Sequence, residues 1–165
     1  MHHFWCRKRP IYGIYFTLAG KRKMAQIDHS AVSLRVIGDT LAPDEISKLL
    51  GAKPTFSHSL GEILVGKKTG VNRVAKFGMW QMNASDCAPE NLDGQIDEIL
   101  SKLTENLAVW SEIGERYKVD LFCGLFMVCR NEGLSLSPRT LFLIGQRGIS
   151  LGLDIYGPID ESKAV

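Results

Sequence analysis

Chemistry in this 165-residue chain would have to be built from its four cysteines, four histidines and the spacing of its charges. Cys6, Cys87, Cys123 and Cys129 form no C-x-x-C pair. Cys123 and Cys129 share the parity of one predicted strand, which puts them ~20 Å apart, too far to bridge or to share a metal. They read as small buried hydrophobes in a reducing cytosol. His2, His3 and Cys6 are a weak metal set at the very start of the chain. His29 and His58 have no cysteine or carboxylate at ligand spacing, and H-E-x-x-H is absent. No metal and no cofactor are expected.

Gly61-Glu62-Ile63-Leu64-Val65-Gly66-Lys67-Lys68-Thr69 approaches a phosphate-binding loop. Lys68 stands where the magnesium-binding hydroxyl belongs, the intervening residues read as strand, and no helix follows. A G-x-S-x-G nucleophile elbow is also missing. Asp93, Asp97 and Glu98 resemble an acid pair but fit the solvated first turn of a helix better. Lys67, Lys68, Arg73 and Lys76 form a basic loop with only Phe77 and Trp80 nearby for stacking, so nucleic acid is disfavoured there. Arg35, Asp154 and Tyr156 remain. Each lies on the polar parity of a predicted strand, and strands sharing one sheet would project them from one face. The two readings are a ligand or partner site and an ordinary cross-strand ion pair.

The elements that would position these groups follow from periodicity. Val32–Ile37 alternates at period two and is β-branched, a strand. Pro43, Asp44 and Glu45 open a helix that Gly51 ends. Residues 52–60 read as loop. Glu62–Val65 and Lys76–Met82 read as a hairpin around a polar, glycine-bearing tip. Leu92, Ile96, Ile99, Leu100, Leu103, Leu107, Trp110, Ile113 and Tyr117 recur at three- and four-residue steps, which predicts one long helix over about 93–116. Val119–Cys129 is apolar on both parities, so both its faces need cover. Ser137-Pro138 caps a third helix that Gly148 closes, and that helix or a second subunit is the expected cover. Ile149–Tyr156 alternates as a last strand.

The order predicts an α+β two-layer sandwich: a ferredoxin-like β-α-β-β-α-β plan with an added C-terminal α-β unit. Residues 24–165 read as a single domain. Residues 1–23 hold six basic residues and no acid, whereas the rest holds fourteen basic and eighteen acidic residues. The segment 1–23 therefore reads as an extension outside the fold, with Met24 as an alternative start. A basic arm and a targeting segment are the other readings. No apolar stretch reaches the ~18 residues of a spanning helix.

Three stretches carry a family resemblance: Leu34–Asp39 with Pro43–Ile46, Val119–Phe126, and Gly133–Pro138 through Leu151–Gly157. Over about residues 30–157 the chain resembles the largely bacterial domain of unknown function 4279. The resemblance implies a small bacterial cytosolic protein and supplies no catalytic residues. The expected function is a non-enzymatic binding or interaction module with an unknown protein or small-molecule partner. Its candidate face is Arg35, Trp80, Glu132, Asp154 and Tyr156. The alternatives are an enzyme with dispersed residues (Arg35, Glu132 and Asp154) and a weak nucleic-acid binder using the tail and hairpin tip. A homodimer is a further partner alternative.

Overall fold

The computed structural model describes residues 26–66 and 70–158. It is a mixed α+β fold with four helices and a five-stranded sheet. The strands are β1 (His29–Gly38), β2 (Phe56–His58), β3 (Ile63–Val65), β4 (Asn72–Val74), β5 (Gly78–Asn83), β6 (Lys118–Phe126) and β7 (Ser150–Tyr156). The helices are α1 (Pro43–Leu50), α2 (Leu92–Leu100), α3 (Leu107–Arg116) and α4 (Pro138–Gly145). The sheet runs β2-β5-β1-β6-β7, antiparallel except for the parallel pair β6–β7, and β3–β4 is a separate hairpin.

β1 is the central strand, and its alternation decides the layers. Val32, Leu34 and Val36 are buried. They align with Leu121 and Cys123 of β6 and with Trp80 and Met82 of β5, or lie beside them, on one sheet face. Leu50, Ile46, Ile96, Ile99, Trp110 and Ile113 from α1, α2 and α3 close over that face. A buried polar link pins α2 to β1. Ser30 Oγ donates to Gln95 Oε1 at 2.6 Å, and Gln95 Nε2 donates to the Ser30 and Ser85 carbonyls. Full pairing is what makes burial of such groups affordable.

Local chemistry sets the helix ends much as expected. Pro43 opens α1, and Gly51 closes it at φ 76°, a conformation only glycine adopts without strain. Ser137 Oγ accepts the Thr140 N–H at the start of α4.

The long helix over 93–116 is two helices. The chain leaves α2 after Leu100, and the Thr104 N–H donates to the Leu50 carbonyl, tying the connection to the end of α1. Asn106 then caps α3 by accepting the Ala108 N–H, and Trp110 Nε1 donates back to the Thr104 carbonyl. The apolar spacing continues through the break because Leu103 is itself buried. Periodicity therefore carried no mark of the interruption.

The hairpin is also rearranged. β3 pairs with β4, not with 76–82, and β5 runs between β1 and β2 in the sheet. β2 lies within the stretch read as loop.

The third helix does not cover the second face of β6. α4 sits beside α2, joined by the Arg139–Asp97 ion pair at 2.7 Å and by the Ser137 N–H on the Asp93 carboxylate. It therefore belongs to the same helix layer. Phe122 and Phe126, on the other parity of β6, are half-buried by side chains of neighbouring strands instead.

Candidate functional site

The face of the sheet turned away from the helices is built by register. Arg35 stands opposite both Asp120 of β6 and Gln81 of β5. Ser33 is opposite Phe122, Ala31 opposite Gly124 and His29 opposite Phe126. The parallel β6–β7 pairing then aligns Gly152, Asp154 and Tyr156 with Phe122, Gly124 and Phe126.

At the centre, Arg35 grips Asp120 with two bonds, Nε to Oδ1 at 2.7 Å and Nη2 to Oδ2 at 3.0 Å. This is the bidentate geometry that guanidinium and carboxylate favour. Lys118 Nζ lies 3.2 Å from the same carboxylate. Burial works to raise the Asp120 carboxyl, but the hydrogen bonds and charges of Arg35 and Lys118 outweigh it and hold the group below its ordinary value. The Arg35 guanidinium also lies 4.4 Å from the centre of the Phe122 ring, a cation–π contact.

A row of rings crosses three strands beside this cluster. His29 stacks on Phe126 at 4.3 Å, and Phe126 stacks on Tyr156 at 4.8 Å, with the planes nearly parallel. These spacings match the distance between strands, so the rings stand as a ladder. Between ladder and ion pair, Ala31, Gly124 and Gly152, with little or no side chain, stand beside Ser33, Phe122 and Asp154. A Cβ on Gly124 would meet the Phe126 ring at 3.3 Å, tighter than ordinary contact. Tyr156 donates its hydroxyl to Asp154 at 2.6 Å, and that bond with the nearby negative charge raises the phenol above its usual value.

The five residues picked from sequence are dispersed. Arg35, Asp154 and Tyr156 do share this face, but Arg35 is paired with Asp120, and Asp154 with Tyr156. Trp80 is not on it. Its parity turns it into the helix layer, fully buried, with Nε1 donating to Ser47 Oγ of α1. Glu132 lies in the β6–α4 connection, where its Oε1 accepts the Cys129 N–H. The residues missed were Asp120, Phe122, Phe126 and His29. Asp120 and Lys118 share a parity in an otherwise apolar strand, and that was the available signal.

Cys123 lies under the opposite face, fully buried. Burial and the Asp120 charge push its thiol up to about 11, the state of an inert structural cysteine. An open cleft of about 320 Å³ lies off the β2 edge, lined by Phe56, Ile63, Leu64, Val65, Gly66 and Arg73. Among the described residues no group of three or more histidine, cysteine or acidic side chains is placed to hold a metal. Nor is any described helix long and apolar enough to cross a membrane.

These features define an α+β protein whose helices share one side of the sheet, leaving a polar and aromatic face on the other. The chain belongs to the family DUF4279, a domain of unknown function, whose family model matches residues 26–158. No curated protein and no solved structure matches it.

Proposed function

We propose that this protein is a binding module whose site is the open sheet face. The observation that carries this reading is the saturation of that face. Arg35 is held by Asp120, Asp154 by Tyr156, and Phe126 by two flanking rings, so the groups are fixed in place before any ligand arrives. Preorganised side chains lose little entropy on binding. General acid–base catalysis asks instead for groups that titrate near the working pH. Asp120 is shifted down and Tyr156 up, both away from neutrality. The enzyme reading gains less support, since Arg35, Glu132 and Asp154 each have separate partners. The nucleic-acid reading rests on residues 1–23 and the hairpin tip; residues 1–23 and 67–68 lie outside the described residues, and Arg73 and Lys76 are exposed.

The partner that suits this face is a protein segment or small molecule with a planar group, met in a bacterial cytosol. The ferredoxin-like plan belongs to the same reading. It is supported by the order β2-β5-β1-β6, antiparallel throughout, with β3–β4 inserted before β5 and the unit α4–β7 added after β6. The test is capture from native lysate, followed by mass spectrometry of bound proteins and small molecules. A ligand held by the natural chain and lost from a Phe126→Ala/Tyr156→Ala variant supports the reading. A ligand held equally by both places the site elsewhere.

A further inference from the structure

β7 ends the strand order, and among the described residues nothing pairs with its outer edge. Its inner side is identified by the Tyr156 carbonyl, which accepts the Met127 N–H at the end of β6. Backbone polar groups alternate in direction along a strand. The N–H and C=O groups of Leu151, Leu153 and Ile155 therefore point outward, away from the sheet. The same three residues direct their side chains to the helix side, where Leu153 is 44% and Ile155 57% exposed. Edge strands are ordinarily blunted by lysine, proline, a bulge or short length. The opposite edge, β2, has three residues. β7 has seven and carries no lysine, arginine or proline. Its one charge, Asp154, lies on the open face with its carboxylate bonded to Tyr156.

We propose that β7 is the interface between two copies of this chain, the two β7 strands pairing antiparallel about a twofold axis at Leu153. The register is self-complementary. Leu153 meets its own copy and Leu151 meets the partner's Ile155, so the outward N–H and C=O groups of all three residues find partners. On the helix side the apolar residues of both strands form one row. On the open face Asp154 falls opposite the partner's Gly152, which leaves room for the side chain and keeps the two carboxylates from facing each other. An unrelated strand would need apolar residues facing Leu151, Leu153 and Ile155 and a small residue facing Asp154 to fit as well. Leu141 and Phe142 are exposed on α4, which packs on β7, and a specific interface must bury roughly 1,000 Å² or more. The pairing would join two open faces into one continuous ten-stranded surface.

Sedimentation of the full chain tests this from micromolar to near-millimolar concentration. The expected mass is twice 18.3 kDa, falling to the monomer on dilution. Leu153→Arg sets two like charges against each other at the axis and should give a monomer across that range. Val65→Arg, at an exposed site on the β3–β4 hairpin, should leave the dimer intact. Circular dichroism checks that both variants fold. Amide hydrogen exchange on the natural chain gives a second readout that needs no variant: the Leu153 and Ile155 N–H groups should gain at least tenfold protection with rising concentration. A natural chain that stays monomeric overturns the proposal, as does a dimer whose Leu153 and Ile155 amides exchange as fast as in the monomer.

Discussion

Asp120 is the residue on which the open face depends. Its side chain is nearly inaccessible and carries a full charge, so its stability comes from Arg35 and Lys118. Removing one partner from a buried pair costs more than the pair contributes net, because the remaining charge is left short of compensation. Arg35→Ala should therefore destabilise the fold by about 2 kcal/mol at pH 7, below the fully buried range because Arg35 is partly exposed. The pH dependence has a definite sign. The Asp120 carboxyl titrates lower in the fold than its ordinary 3.8, so its pairing stabilises the protein above about pH 4 and is lost as pH falls through the depressed value. Urea unfolding followed between pH 7 and pH 3 should show that loss in the natural chain and a flatter profile in Asp120→Asn. Equal slopes would show that Asp120 does not supply the acid sensitivity.

At the scale of elements, the approach of β5 to the end of β1 and the turn after it is a backbone contact. A Cβ on Gly78 would lie 2.7 Å from the Leu41 carbonyl oxygen and 3.0 Å from that of Gly38. Neither atom can swing aside as a side chain would, so Gly78→Ala should cost about 1–3 kcal/mol, the range for forcing extra volume into a packed site. Gly114→Ala, with nothing near its Cβ, should be neutral or slightly stabilising on α3. Thermal midpoints of the two variants check the pair, and similar losses in both would contradict the contact. Elements were legible wherever the signal was local. Pro43 and Gly51 bound α1, Ser137 begins α4, and alternation marks β1 and β7. The α2–α3 break was not legible, because it depends on the bond from Thr104 to the distant Leu50 carbonyl, and the β3–β4 pairing was not, because β5 is taken up between β1 and β2.

For the whole molecule, the family match starts at residue 26, and the Gln26–Gly133 bridge opens the described fold. No hydrophobic period links residues 1–23 to the rest of the chain. Chains 1–165 and 24–165 should unfold within a few degrees of each other, since ~1 kcal/mol shifts a protein of this size by about 2–4 °C. A drop of ten degrees on truncation would make the segment part of the fold.

The sequence by itself determined the α+β class, most helix ends, and which parity of β1 is apolar throughout. These properties depend on residues within a few positions of one another. Only the tertiary structure decided what stands beside what. Arg35 and Asp154 were visible as polar strand residues, but their partners depend on strand order and register, which set Asp120 against Arg35 eighty-five positions away. Trp80 alternates with Gln81 and Asn83 in β5, and its pairing with Val36 sets it toward α1 and into the core. The cover for Phe122 and Phe126 was expected from a helix or a second subunit; within the chain it comes from Arg35, His29 and Tyr156. Side chains on neighbouring strands meet because the strands lie about 4.8 Å apart, and that closeness arises only when the sheet assembles.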